Sequence, residues 1–233
     1  MSKKFDTEIS NLKNQLSRMG QNTKKMLLDS IVAMKNQDNR LASYVIQEKA
    51  KLLNMEDSIE EKTLSLIAMY QPTAKDMRIL ATSLKLITYF QRIGQYSVEL
   101  AESTIELSNQ PHLRKLVSIP YMSQIIGSMI DDALNGFEND TIDGFDTLSD
   151  RFNDVEELRQ SIFRECITYM MEDSKNISQC STYMMTTRFL ERCADYACKL
   201  GEAVIYMQSG DRIEINCNEE TSKACFVKRE VAA

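Results

Sequence analysis

Two carboxylates four residues apart, Glu191 and Asp195, have the type and spacing that suit ligand binding. Residues i and i+4 lie on one face of a helix, so two carboxylates there repel each other unless a cation or a basic side chain lies between them. Oxygen ligands of this kind suit hard or borderline cations such as Mg, Ca, Mn or Fe. The alternative interpretation is a solvated pair, or a pair neutralised by Arg188 or Arg192 on the same helix.

The cysteines and the single histidine favour neither a zinc site nor a nucleophilic one. The six cysteines all lie in the last third of the chain without a C-x-x-C pair, and His112 is distant from them in sequence. We expect Cys166 and Cys193 to be small core hydrophobes. We expect Cys217 and Cys225 to be unpaired surface thiols, with a disulfide or a metal pair as the alternative. Because no phosphate-binding glycine loop or G-x-S-x-G elbow is present either, the sequence predicts a protein that is not an enzyme.

The composition predicts a few long helices. The 233 residues are 43% apolar and 27% charged, with seven glycines, three prolines and no tryptophan, so turn-forming residues are scarce. The amino-terminal stretch has no apolar signal core, and no run approaches the roughly 18 apolar residues of a membrane span. We therefore expect a cytoplasmic protein with reduced thiols.

The charge is divided unevenly along the chain. Residues 1–108 hold 15 basic and 13 acidic side chains, a balance of +2, and the remainder holds 13 basic and 21 acidic, a balance of −8. A chain with a net charge of −6 and no dense basic patch is a poor binder of nucleic acid. Nucleic acid is therefore not an expected partner.

An internal duplication organises the chain. The stretch 188–207 repeats residues 88–107 at an offset of 100, so that Arg92 falls on Arg192 and Tyr96 on Tyr196. Further upstream the offset is 103, and it places Ile59 on Ile162. We predict helices at about 9–37, 40–70, 72–107, from 120, at 141–171 and at 188–207, with apolar positions at helical spacing. The predicted units are 1–110, 111–207 and a carboxyl-terminal segment, 208–233, that forms a mobile tail or a short docking segment.

These segments resemble the PhoU family of phosphate-uptake regulators. The resemblance lies in MGQNTKKMLLDSIVAM, IEEKTLSLIAMYQPTAKDMRIL and IFRECITYMMED, and in the two helices that carry R-I-G and E-R-x-x-D, which together span about residues 8–207. It implies an all-α fold of two similar three-helix bundles related by internal duplication. It also implies a regulator that acts through protein contacts. The implied partners are the ATPase of the phosphate ABC transporter and, in many bacteria, a sensor histidine kinase, with contact to the membrane only through them and a possible homodimer.

The resemblance further implies a metal site, because some members of the family bind divalent or iron-type ions through E-x-x-x-D and D-x-x-x-D motifs. Glu191 and Asp195 preserve the first motif in the second copy, and Glu156 preserves half of the second motif, whose other position is Phe152. The four equivalent positions of the first copy carry no carboxylate at all and read Lys49, Leu53, Gln91 and Gln95. We therefore expect at most one metal site, at Glu191, Asp195 and Glu156.

A second acidic series follows helical spacing in the second copy. Its members are Asp143, Asp146, Asp150, Asp154 and Glu157, and they lie opposite the apolar positions of the same predicted helix. The two interpretations are a solvated face and an electrostatic surface for a basic partner.

The alternatives to phosphate regulation are a metal-binding helical protein and an adaptor for a different transporter.

Overall fold

A computed structural model describes residues 3–108, 111–215 and 226–228 of the chain. Most of these residues belong to long helices, which are α1 (Lys3–Asn36), α2 (Asn39–Tyr70), α3 (Ala74–Leu107), α4 (Ser118–Asn139), α5 (Leu148–Glu172) and α6 (Ile177–Ser209). Two short antiparallel strands follow, β1 (Ile213–Ile215) and β2 (Phe226–Lys228).

The helices form two bundles of three. Helices α1, α2 and α3 pack on one another, and α4, α5 and α6 repeat the arrangement. The bundles meet where α1 packs on α4 and α3 packs on α6, which leaves α2 and α5 on opposite outer sides. This architecture confirms the prediction of an all-α fold of two similar bundles related by duplication. The residue boundaries 1–110, 111–207 and 208–233 stay predictions.

Equivalent positions of the two copies form equivalent parts of the core. Ile59 and Ile162, which the offset of 103 pairs, are 2% and 6% exposed. In the last helix a stripe of apolar residues at helical spacing is fully buried, and it consists of Leu190, Cys193, Ala197, Leu200 and Val204. Apolar burial on this scale is the main stabilising term of a helical bundle, because isolated helices are marginal in water.

Aromatic rings mark the joint between α3 and α6. The ring centroids of Tyr89 and Tyr196 lie 5.9 Å apart, and those of Phe189 and Tyr96 lie 5.8 Å apart. The offset of 100 relates residue 89 to 189 and residue 96 to 196. Each of the two contacts is therefore the equivalent of the other with the two copies exchanged. Tyr96 and Tyr196 lie 6.3 Å apart between them, so the cluster lies on the approximate two-fold axis of the duplication.

Local sequence sets where the first helices end and how closely they pack. The carboxylate of Asp38 accepts hydrogen bonds from the backbone N–H groups of Arg40 and Leu41, which caps the start of α2. Within the bundle, Gly94 of α3 lies directly against Leu52 of α2. A Cβ at residue 94 would approach the Leu52 Cδ2 to 2.1 Å, so any larger residue there would force the Leu52 side chain to move.

Helix α5 begins later than the sequence pattern predicts. The pattern places its start near residue 141, whereas a short 3-10 turn covers Phe145–Thr147 and the α-helix begins at Leu148. Gly144, with φ of 85°, turns the chain there. The Arg151 guanidinium fixes the turn, because one Nη2 group donates to the Asp132 carboxylate at 2.5 Å and to the Gly144 carbonyl at 2.9 Å.

The chain beyond α6 packs back onto the second bundle. Helix α6 ends at Ser209 and is followed by Gly210, whose φ of 80° is the left-handed conformation typical of the residue that caps a helix carboxyl terminus. Ile213 and Ile215 of β1 are then buried against α6, and the Ile215 N–H donates to the Glu202 carboxylate at 3.0 Å. The sequence pattern does not predict this strand, which lies within the segment predicted as a tail.

Candidate functional site

Glu191 lies between α5 and α6 rather than on an open surface. Its residue is 8% exposed, and its Oε2 atom faces the Arg159 Nε atom of α5 at 3.3 Å. Arg188, one turn earlier on α6, donates an Nη1 hydrogen bond to the same oxygen. Two guanidinium groups therefore compensate the charge of one nearly buried carboxylate, as a buried charge requires.

Asp195 lies one helical turn beyond Glu191 and is more accessible. Its carboxylate accepts a hydrogen bond from the Arg192 Nη1 at 2.8 Å, and the two side chains are 30% and 44% exposed. A pair this exposed contributes little to stability. The structure thus places Glu191 and Asp195 on one face, as predicted, and pairs Glu191 with two arginines and Asp195 with one.

The burial of this face differs between the two copies at one position. From residue 91 to 100 and from 191 to 200 the pattern of buried, half-buried and exposed positions is the same, except that Gln91 is half-buried where Glu191 is buried. Gln95, at the place of Asp195, donates a hydrogen bond to Glu99 at 2.9 Å. The frame is therefore common to both copies, and only the second copy buries an ionised group at this place.

Arg159 lies in the candidate site, although the spacing of the carboxylates does not predict it. It lies on α5, three residues after Glu156, and it is the α5 side chain that faces Glu191. The offset of 103 pairs it with Glu56, so the charge at this position is reversed between the copies, and this reversal was visible in the sequence. Burial is the main cause that raises the pKa of Glu56. The neighbouring carboxylates of Asp57 and Glu60 raise it further, and Arg92 partly opposes them.

The arrangement does not fit a bound metal ion. Glu191 is paired with Arg159 and Arg188, and Asp195 is paired with Arg192, so a cation that approaches these two carboxylates meets three guanidinium groups. No contact in the described part of the chain joins Glu156 to this cluster. Within residues 3–108 and 111–215, no three or more His, Cys, Asp or Glu side chains form a group that could hold a metal ion. The site at Glu191, Asp195 and Glu156 stays a prediction that no contact in this part of the chain supports.

The described cysteines belong to the core. Cys166, Cys180, Cys193 and Cys198 are buried. Burial raises the pKa of the Cys166 thiol to about 12 and that of the Cys193 thiol further still. Because the thiolate is the reactive and metal-binding form, these side chains suit packing rather than chemistry. Cys217 and Cys225 lie outside the described residues.

His112 connects the segment between the bundles to both of them. Its Nε2 lies 2.9 Å from the Met34 carbonyl of α1, and its Nδ1 lies 2.7 Å from the Tyr183 hydroxyl of α6. A carbonyl oxygen only accepts, so Nε2 carries a proton and, in the neutral ring, Nδ1 accepts the tyrosine hydroxyl hydrogen. The single histidine therefore has a structural role, because it links α1 of the first bundle to α6 of the second.

The acidic series lies on the outer face of the second bundle. All five of its side chains are exposed, and none forms an ion pair within the described part of the chain; they are Asp143, Asp146, Asp150, Asp154 and Glu157. Asp143 and Asp146 lie before α5 rather than on it, so the series does not follow one helix as predicted. The uncompensated negative charge gives α5 and the turn before it an electrostatic surface suited to a basic partner. Among the helices that the structure describes, none combines the length and the apolar character needed to span a bilayer.

The PhoU domain family model matches the chain twice, over residues 16–104 and 119–204. The phosphate-specific transport system accessory protein PhoU homolog of Clostridium acetobutylicum is 30% identical over 213 residues, which cover 91% of this chain and 97% of the relative. The phosphate-specific transport system accessory protein PhoU of Escherichia coli is 31% identical over 210 residues, 90% of this chain and 87% of that one.

Solved structures agree with the sequence relatives. The crystal structure of PhoU from Pseudomonas aeruginosa superposes with a TM-score of 0.83 at 28% identity and covers 88% of this chain and 99% of its own. The phosphate transport system regulatory protein PhoU from Streptococcus pneumoniae, at 21% identity and a TM-score of 0.82, shares the fold. The two family matches fall one on each bundle and together span most of the chain, so this protein belongs to the PhoU family.

Proposed function

We propose that this protein restrains phosphate uptake by binding the ATPase subunit of a phosphate ABC transporter. The observation that carries the proposal is the double family match, one copy on each bundle, with relatives named as accessory proteins of phosphate-specific transport. Docking on the ATPase slows its cycle when phosphate is plentiful. The protein acts in the cytoplasm as a regulator rather than an enzyme. It reaches the membrane through its partners, with a sensor histidine kinase as a second partner and a homodimer as a possible assembly.

The acidic outer face of α5 is the surface we assign to this contact. Asp150, Asp154 and Glu157 are exposed, lie within two helical turns and have no ion-pair partner among the described residues. The equivalent positions on α2 read Gln47, Lys51 and Asn54, so the two outer faces differ in charge although their backbones are equivalent. A partner that binds through electrostatic complementarity therefore distinguishes the second bundle from the first.

Affinity capture from the native cells tests the proposal. The tagged protein is isolated after growth in high and in low phosphate, and the captured proteins are identified by mass spectrometry. The transporter ATPase is expected, and in larger amounts at high phosphate. Capture of a different transporter favours the alternative of an adaptor with another target, and capture of no transporter at all removes the proposed role.

A charge-neutralised variant tests the surface. D150N/D154N/E157Q is expected to lose most of the captured ATPase, because three partner-facing charges are removed. The matched control is D57N/E60Q/E61Q, which removes three exposed carboxylates from α2 and changes the net charge equally. Equal losses in both variants, or in neither, contradict the assignment of α5.

The alternative of a metal-binding helical protein rests on Glu191, Asp195 and Glu156. The described contacts favour it less, because Arg159 and Arg188 already neutralise Glu191. The metal content of the protein purified without chelators separates the two functions. A stoichiometric ion that is lost in E191Q supports metal binding as the primary role.

A further inference from the structure

A polar groove runs between α1 and α2 on the outer side of the first bundle. Its volume is about 980 Å³, and its hydrogen-bonding side chains include Ser17, Arg18, Gln21, Lys51, Asn54 and Ser58. Met55 and Ile59 add an apolar portion. A second cavity of about 710 Å³ continues the groove, because Arg18 and Ser58 line both. The ion pair between Glu8 and Lys62 joins the two helices beside this second cavity.

Ser17 supplies an independent sign that the groove accepts a ligand. The residue is 7% exposed, lines the groove, and its hydroxyl has no hydrogen-bond partner. Other buried helical serines of this protein are satisfied locally, since Ser83 and Ser97 each donate to the carbonyl four residues earlier at 2.9 Å. A buried hydroxyl without a partner costs free energy. The Ser17 Oγ atom itself has almost no exposed surface, so a ligand recovers this free energy only when it displaces the side chains that cover the oxygen.

Arg18 makes the groove suitable for a negatively charged ligand. Of the three cations that line the 980 Å³ cavity, Lys25 pairs with Asp29 and Lys51 pairs with Glu48. Arg18 is exposed and forms no ion pair with any described residue, and Glu138 is the single carboxylate in the lining. An unpaired guanidinium surrounded by amide and hydroxyl donors suits an oxoanion, because the planar fork can bind two of its oxygens at once.

The duplication provides an internal comparison. The equivalent cavity between α4 and α5 is about 580 Å³ in volume and is acidic. There Tyr121 replaces Arg18, Asp154 replaces Lys51 and Glu157 replaces Asn54. Ser17 itself corresponds to Pro120. The same position of the repeat thus carries donors in one copy and acceptors in the other.

We propose that the α1–α2 groove binds a phosphate-bearing small molecule of about the size of a nucleotide, with Arg18 on the phosphate and Ser17 as a further contact. The volume lies at the upper end of the roughly 300–1,000 Å³ usual for small-molecule sites and is far larger than one oxoanion needs. The apolar side chains of Met55 and Ile59 accommodate the part of the molecule that carries no charge. The site does not depend on the transporter contact proposed above, which lies on α5.

Calorimetric titration of the full-length protein with inorganic phosphate, AMP and ATP, each alone, tests the proposal. We expect saturable binding of AMP or ATP, and binding of inorganic phosphate alone would contradict the proposed size of the ligand. R18Q is expected to weaken that binding about tenfold or more, the effect of one lost charge-assisted contact. The matched control is R164Q, which removes the one cation that lines the equivalent acidic cavity and is expected to bind as the wild type does.

S17A adds a second variant that leaves the charge unchanged. Because the Ser17 hydroxyl has no partner within the described protein, its removal is expected to weaken binding several-fold without lowering the melting temperature of the ligand-free protein. The absence of saturable binding for all three probes overturns the proposal. Equal weakening in R18Q and R164Q also overturns it, since that result shows only a general response to charge.

Discussion

Arg159 of α5 and Glu191 of α6 face each other across the second bundle, with the arginine Nε 3.3 Å from the glutamate Oε2. The contact joins an outer helix to the helix that also forms the joint with the first bundle. Arg188 donates a hydrogen bond to the same oxygen from the exposed side, whereas the Arg159 Nε contributes its charge without a hydrogen bond. This cluster lies where the family resemblance leads one to expect a cation, and its charge is already balanced by the chain itself.

Replacing Arg159 by Met is expected to destabilise the protein by about 2 kcal/mol or more, because Glu191 then remains nearly buried with one partner fewer. Urea unfolding followed by circular dichroism measures the change. The matched control is R192M, which breaks the exposed pair with Asp195 and is expected to cost less than about 1 kcal/mol. The double variant R159M/E191Q should recover part of the loss, since no uncompensated charge is left. Similar losses in R159M and R192M contradict this account.

Metal binding is expected to appear only when the arginines are removed. Mg²⁺ or Mn²⁺ should leave the melting temperature of the wild-type protein unchanged, because the cation meets guanidinium groups that already pair with Glu191 and Asp195. R159Q/R188Q leaves Glu156, Glu191 and Asp195 with one arginine, and it should gain a metal-dependent rise in melting temperature. Adding E191Q to that variant should abolish the rise. A clear rise in the wild type would show that a metal displaces the arginines and that the sequence prediction was right.

Glu56 is expected to weaken the fold at neutral pH. Burial and two neighbouring carboxylates raise its pKa above the ordinary value in the folded protein, so its favourable contribution is present below the unfolded pKa and is lost as the pH rises through the folded pKa. E56Q should therefore be more stable than the wild type at pH 7. The difference should vanish as the pH falls below about 4, where the carboxyl group is neutral in both states. Thermal unfolding across this range measures it, and a less stable E56Q at pH 7 would show that attraction to Arg92 outweighs burial.

The four described cysteines are expected to resist thiol reagents in the native protein. In a C217S/C225S background, Ellman's reagent at pH 8 should react very slowly, because a thiol with the pKa of Cys166, about 12, is ionised in roughly one molecule in ten thousand at that pH. Four thiols per chain should react once urea unfolds the protein. Rapid labelling of Cys166 in the native state, located by mass spectrometry, would instead reveal local opening between α5 and α6.

The sequence predicts the helices well because apolar spacing and duplication reinforce each other. Pairs such as Ile59 and Ile162 identify equivalent core positions without a structure, and both are buried. The start of α5 was predicted too early, because Gly144 turns the chain through a contact with Asp132 and Arg151 that only the tertiary fold creates. Strand β1 was not predicted, since three residues carry no measurable periodicity.

The candidate site was also only partly predictable from the sequence. Spacing correctly places Glu191 and Asp195 on one face, yet it does not reveal that Glu191 is buried or that a neighbouring helix supplies a counter-charge. The only sign of that partner in the sequence is that Arg159 and its equivalent in the first copy, Glu56, carry opposite charges. The groove near Arg18 was equally inaccessible, because it is formed by two helices about 35 residues apart in the chain, and periodicity describes one helix at a time.

The aromatic joint has a consequence for the history of the chain. Exchanging the two copies turns the contact of Tyr89 with Tyr196 into the contact of Phe189 with Tyr96. Pairs of contacts related in this way are typical of a two-fold homodimer interface. An interface of this kind within one chain points to an ancestor in which a single bundle paired with its own copy. Once the copies were covalently fused, a substitution in one no longer appeared in the other. The difference between Gln91 and Gln95 in the first copy and Glu191 and Asp195 in the second is a divergence that a fused pair permits and a pair of identical chains does not.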